Sequence, residues 1–177
     1  MTMSILRSFA PLAVVIVCLN TASGAQDPKK FPGNKPETIL PKPDGTLVLP
    51  ASKCEVYGTT LQYMPDDNAL GWWNTTDDHA TWKLSGVKPG VYEVWFEWSC
   101  ADDSAGNAFL FDAGDEELKG TIPSTGSWQK HKKQKFGTID LPAGDFSVDL
   151  RSEGDIKEAL GDFREVRLVP ANDNGAK

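Results

Sequence analysis

Val91-Tyr92-Glu93-Val94-Trp95-Phe96-Glu97-Trp98 is a run of β-branched and aromatic residues spaced by two glutamates, with Pro89-Gly90 before it and Asp102-Asp103 after it. Such side chains suit a pleated, half-buried surface, and the turn-forming pairs at either end limit the run to strand length. Period-two alternation puts Tyr92, Val94, Phe96 and Trp98 on one face and Glu93, Trp95 and Glu97 on the other. Trp98 is therefore expected in a core. For Trp95, on the more polar face, two readings stay open: a binding surface, or a ring covered by a neighbouring loop.

Similar short runs lie on both sides of this strand. Leu47-Val48-Leu49, Cys54 to Tyr57 and Ala80 to Leu84 precede it, the last containing a second core candidate, Trp82. Ala108 to Phe111, Phe136 to Ile139, Phe146 to Leu150 and Phe163 to Val169 follow it. In the last of these Phe163 and Val166 break strict alternation, which implies a bulge or burial of both faces. Strands this short, separated by Gly, Pro and Asp turns at roughly 8–12 residues, predict an all-β chain folded as an antiparallel β-sandwich. One segment departs from the pattern. Asp155-Ile156-Lys157-Glu158-Ala159-Leu160-Gly161 has Glu three residues after Asp and a terminal Gly, which predicts a single helical turn in a loop.

The chain has 177 residues, with 18 Lys+Arg against 25 Asp+Glu and a formal net charge of −7. That balance repels a phosphate backbone and argues against nucleic acid as a partner. With 40% hydrophobic and 24% charged residues it reads as one globular domain. Residues 1–25 carry Arg7, a short apolar run from Phe9 to Leu19 and the small residues Ser23-Gly24-Ala25, the pattern of a cleaved signal peptide. The apolar run is about half of what a membrane span needs, so the expectation is an exported, secreted, periplasmic or cell-surface protein without a span. Residues 26–45, with Pro28, Pro32, Pro36, Pro41 and Pro43, read as a Pro-rich linker or as a segment packed along the domain edge. The β-domain is expected over 46–170 and a flexible tail over 171–177.

Cleavage would leave Cys54 and Cys100. Export permits a disulfide closing a loop of about 45 residues, while two buried thiols are the alternative, and spacing does not choose between them. Signatures of catalysis are thin. Gly-x-Ser-x-Gly, His-Glu-x-x-His and a phosphate-binding glycine loop are absent, and His79 beside Asp77 and Asp78 is the one acid–base cluster, so no enzyme is expected.

The order of several turns and strands carries a resemblance. Lys88-Pro89-Gly90-Val91-Tyr92-Glu93-Val94, Trp98-Ser99-Cys100-Ala101, Gly106-Asn107, Thr125-Gly126-Ser127-Trp128 and Leu141-Pro142-Ala143-Gly144 follow one another as in the galactose-binding-like jelly rolls. Thr46 to Pro170 most resembles family 6 and family 35 carbohydrate-binding modules and the related modules of secreted planctomycete proteins. The resemblance implies a jelly-roll sandwich, non-catalytic sugar binding at the loop tips and often a structural calcium ion. In those families calcium sits near the first strand. Here Lys53 stands where an acid is expected, and Glu55 and Asp162 remain as candidate ligands, so calcium as a cofactor is in question.

Sugar recognition needs an aromatic ring under the C–H face of the pyranose and short polar side chains at its rim hydroxyls. Gly71-Trp72-Trp73-Asn74 and Thr125-Gly126-Ser127-Trp128 supply rings beside polar groups, and Ala101-Asp102-Asp103-Ser104-Ala105-Gly106-Asn107 supplies oxygen-bearing side chains. Alternation turns one of Trp72 and Trp73 outward, and Trp73 is chosen. The expected contact set is Trp73, Asn74, Asp103, Asn107 and Trp128. Lys130-His131-Lys132-Lys133-Gln134-Lys135 suits either an anionic polysaccharide or a lysine-guarded edge strand, and the second is favoured. A structural or cell-surface interaction module that has lost sugar binding is the alternative function.

Overall fold

The computed structural model describes residues 26–171, in which eleven strands form two facing antiparallel sheets. The expected signal segment, and all but the first residue of the expected tail, lie outside the described residues. One sheet runs β3 (Gln62–Met64), β4 (Ala69–Gly71), β11 (Asp162–Pro170), β6 (Gly90–Ser99) and β9 (Lys132–Leu141), with β1 (Leu47–Pro50) also paired to β11. The other runs β2 (Glu55–Tyr57), β5 (His79–Val87), β10 (Gly144–Ser152), β7 (Ala108–Asp112) and β8 (Glu117–Thr121). This is the sandwich the strand pattern predicts, with the same jelly-roll character.

Period-two alternation builds the core. Tyr92, Val94, Phe96 and Trp98 of β6 are all buried, whereas Glu93, Trp95 and Glu97 are half-buried on the outer face. Phe96 sits at the centre of an aromatic cluster, with ring centroids 5.0 Å from Phe109, 4.6 Å from Phe136 and 5.7 Å from Phe163. Offset and edge-to-face pairs of this kind add about 0.5–1.5 kcal/mol each beyond the area they bury. Trp82 and Trp98 are in the core as expected, and their indole N–H groups donate to the carbonyls of Pro50 and Pro123. The irregularity in the last strand is a β-bulge. Phe163 faces Trp98 and Glu165 faces Glu97, which leaves Arg164 as the extra residue.

On the outer face Trp95 donates its indole N–H to Glu93, which is also ion-paired with Lys135 of β9. The basic run therefore opens an edge strand, as favoured. Lys133 is paired with Glu97 and Glu165 in the same way.

Two open choices are decided and one expectation is corrected. Of the two courses open to residues 26–45, the chain takes the edge-packed one rather than that of a free linker. Ile39 is buried against the core and bridges to Leu84 at the border of β5, and Lys29 bridges to Val56 of β2. Apolar Ile39 gives this proline-rich strap a reason to stay down, and Asn34 holds it by donating to the carbonyls of Ala51 and Cys54. The second open choice concerns the cysteines. Cys54 and Cys100 are both buried free thiols, directed at the carbonyls of Ala51 and Ala101, so no bridge joins them. Thirdly, 155–161 is not a helical turn. Asn107 takes its place as the organiser, donating to the carbonyls of Lys157 and Ala159 and accepting from the Lys157 N–H, and Glu158 adopts φ +58°. Tertiary hydrogen bonds to a buried amide outweigh the weak local preference for one turn of helix.

Candidate functional site

Four loops at one end of the sandwich enclose a hollow of about 310 Å3. They are the links β4–β5, β6–β7, β8–β9 and β10–β11, and they contribute Trp72 and Asn74, Asp103 and Ser104, Trp128, and Glu158 and Ala159 respectively. Met64 of β3 and Asp162, the first residue of β11, complete the lining.

The β4–β5 loop is held by Asp78. Its buried carboxylate accepts hydrogen bonds from the backbone N–H groups of Thr60, Leu61, Asn74 and Thr75 and from the Thr60 hydroxyl. Its carbonyl accepts the Trp73 indole N–H at 3.0 Å. Burial alone would raise this carboxyl, but the donors from Leu61, Thr60 and Thr75 outweigh it and hold the group below the usual carboxylate range. Gly58 makes room for the arrangement. It has φ +92°, and a Cβ there would meet Asp78 Oδ1 at 2.5 Å.

Trp72 is the exposed member of the tryptophan pair, and the choice of Trp73 is corrected. Trp72 is 62% exposed and Trp73 is fully buried against Phe163, with ring centroids 5.6 Å apart. The cause is local backbone. Trp72 takes φ +60°, a left-handed conformation that swings its indole out of the strand line and returns Trp73 to the core. A bulky residue pays strain of about 1–3 kcal/mol to stand there, which is the kind of strain that clusters at functional sites.

Asn74 donates its side-chain amide to the Glu158 carbonyl at 2.6 Å and so stitches two walls of the hollow together. Trp128 is positioned from behind. Ser99 at the end of β6 donates to the Trp128 carbonyl at 2.7 Å, and Thr125 ties the same turn to Cys100 through its N–H and hydroxyl. Asp103 is exposed at the rim. Asn107 is the second correction to the contact set. It is buried, and both of its amide atoms are engaged with Ser104, Lys157 and Ala159, so it braces the wall from inside rather than facing a ligand.

Glu55 and Asp162, the candidate metal ligands, are not brought together. Glu55 lies on the other sheet, bonded to Lys83 at 2.6 Å and to the Tyr57 hydroxyl. It lines a separate polar hollow of about 200 Å3 with Glu37, Lys53 and Thr81. No group of three or more His, Cys, Asp or Glu suited to a metal occurs among the described residues, and a carboxylate already neutralised by lysine does not fit calcium.

Asp162 belongs to the hollow instead. Its Oδ1 lies where a Cβ on Gly71 would come within 2.6 Å, so a residue without a side chain at 71 gives the carboxyl its place. Burial, reinforced by Asp67, pushes its pKa up to about 7. The folded chain then holds this proton more tightly than the unfolded chain does. The stabilisation from Asp162 is complete below the ordinary carboxylate pKa and is lost as pH rises through about 7. Asp162→Asn keeps the shape without the charge. Thermal melts of the variant and the parent should nearly coincide at ~pH 4, and the variant should melt higher at ~pH 8.

No protein-family model matches the chain, and a search of the curated proteins returns no relative. Solved structures do share its fold. The C-terminal family 6 carbohydrate-binding module of LamC, a marine laminarinase from Zobellia galactanivorans, superposes with a TM-score of 0.56 at 22% identity over 70% of this chain and 98% of that one. A family 35 module from Clostridium thermocellum gives 0.58 at 14% identity over 69% and 97%. The module CBM6cm-2 of Cellvibrio mixtus lichenase 5A, solved with cellotriose, gives 0.55 at 16% identity over 71% and 97%. The chain therefore has the jelly-roll fold found in these two families, as the order of its motifs implies.

Proposed function

We propose that this chain is a non-catalytic carbohydrate-binding module of an exported protein. The observation that carries this reading is the convergence of an exposed Trp72 and a half-buried Trp128 on one hollow rimmed by Asn74 and Asp103. Rings of this kind offer apolar faces to a pyranose, and the amide and carboxylate suit its hydroxyls. The hollow has the size of a small-molecule site and is built on hydrogen-bonded loops, which lowers the ordering cost of binding. The fold it shares with carbohydrate-binding modules supports the same reading, and export rests on the sequence of residues 1–25.

Titration against a panel of soluble glycans, followed by tryptophan fluorescence, tests it. Saturable binding to one member, weakened about 10-fold or more in Trp128→Ala, is the expected result. Silence across the panel would favour the structural or interaction module. One observation supports a hydrolytic alternative: the raised Asp162 carboxyl shares its hollow with Asp103. Release of reducing sugar during the same titrations, abolished in Asp162→Asn, would establish that alternative and end the non-catalytic reading.

A further inference from the structure

Two hollows among the described residues differ in charge. The one near Glu55 is neutral in balance, with Lys53 paired to Glu37 and Lys83 paired to Glu55, and it holds no aromatic ring. The one between the loops is lined by three acids, Asp103, Glu158 and Asp162, and by no lysine, arginine or histidine. Basic residues stand in the adjoining segments, Lys157 before Glu158 and Lys130 and His131 after Trp128, but none of them lines the hollow. Arg164 donates to the Asp67 carbonyl and approaches Glu97, and His131 stands within 3.3 Å of the Ser99 hydroxyl. Asp102 adds a fourth carboxylate just behind the rim, bonded to the Ser124 hydroxyl.

The negative potential registers on a neighbour. The Cys100 thiol is raised to about 11, first by burial and then by Asp162, Asp103 and Asp102. In this setting two indole rings serve a second purpose besides stacking on C–H faces, because the face of an indole attracts a cation. Asp103, joined by Asp162 once that carboxyl has lost its proton, and two tryptophans around one cavity suit a desolvated ammonium group. A uronic acid or sulfated sugar would meet like charge here, which costs affinity.

Resting on the carbohydrate reading above, we propose that the loop hollow selects a cationic amino sugar whose ammonium group is held by Asp103 and Asp162 beside the rings of Trp72 and Trp128. The selectivity is electrostatic. A free amine gains the attraction of the acids and rings, and its N-acetyl derivative loses the charge and keeps a single N–H donor.

The test uses four oligosaccharides of equal length: β-1,4-glucosamine, its N-acetylated form, the β-1,4-glucose oligomer and an oligogalacturonate. The first three share a backbone and differ at the second carbon of each ring, so calorimetric titration isolates the substituent. The glucosamine oligomer should bind about 10-fold tighter or better than the two neutral ones, and the preference should shrink as salt is raised. Asp103→Asn combined with Asp162→Asn should reduce binding of the glucosamine oligomer about 10-fold more than binding of the glucose oligomer, which brings the two to a common level. Equal affinity for the glucosamine and glucose oligomers, or tighter binding of the galacturonate, would overturn the charge preference and leave the carbohydrate reading standing. Binding of none of the four would overturn the amino-sugar preference, with the carbohydrate reading then decided by the wider glycan panel.

Discussion

Asp78→Ala should lower the stability of the domain by about 3–4 kcal/mol and its melting temperature by roughly 10 °C. The carboxylate is the shared acceptor of four backbone N–H groups and one hydroxyl drawn from two loops. Removing it strands those donors in a buried setting, and each unpaired donor costs about 1–3 kcal/mol before relaxation. The donors are close together and water can reach some of them in a collapsed variant, so the costs do not add in full. Asp78→Asn retains one acceptor oxygen and turns an amide toward the remaining N–H groups, so it should recover only a minor part of the loss. Because the folded-state pKa is depressed, the stabilisation is present above the ordinary carboxylate pKa and disappears as pH falls through the lowered value. The difference between parent and Asp78→Ala should therefore narrow in acid. Melts recorded from neutral pH downward would show this, and a constant difference would remove Asp78 from its place as the organising charge.

The same residue marks how far the sequence could be read. Strand patterns dominated by long runs were legible, because alternation and burial act within a few residues. Val91 to Trp98 and the out-of-period Phe163 and Val166 specify a central strand and a bulge without reference to the rest of the chain. The short strands β3, β4 and β8 were not legible. Gln62-Tyr63-Met64, Ala69-Leu70-Gly71 and Glu117-Leu118-Lys119-Gly120-Thr121 have little local preference and are defined by the partners they meet.

At the site the division is similar. Asn74, Asp103 and Trp128 could be named from loop composition, and the hollow contains all three. The oxygen-bearing side chains of its loop point to Asn107 as a contact. Its amide instead finds carbonyls about fifty positions away, a pairing no local window contains. Resemblance points to Asp162 as a metal ligand, whereas its neighbours Gly71 and Met64 come from short strands that local sequence does not disclose. Trp72 and Trp73 are adjacent and identical in type, so only the backbone torsion at 72 separates the outward ring from the inward one.

That torsion leads to opposite outcomes for two neighbouring substitutions. Trp72→Ala should reduce glycan affinity about 10- to 100-fold, corresponding to roughly 1.4–2.8 kcal/mol, while the melting temperature stays within a few degrees of the parent. The ring is 62% exposed, so little core is lost, and an alanine at φ +60° inherits the backbone strain without adding to it. Trp73→Ala should do the reverse at the level of the fold. It removes a fully buried indole packed on Phe163 and breaks the hydrogen bond to the Asp78 carbonyl, for a cost of about 3–5 kcal/mol. Any loss of binding in Trp73→Ala should track the fraction unfolded and be recovered on cooling, since Trp73 does not line the hollow. Trp72→Phe supplies the control. A smaller ring in the same place should restore part of the affinity if stacking is the interaction, and none if the indole N–H is the essential contact. Were Trp72→Ala to bind its glycan as tightly as the parent, the exposed ring would have no part in recognition, and the strain held at residue 72 would lack a functional cause.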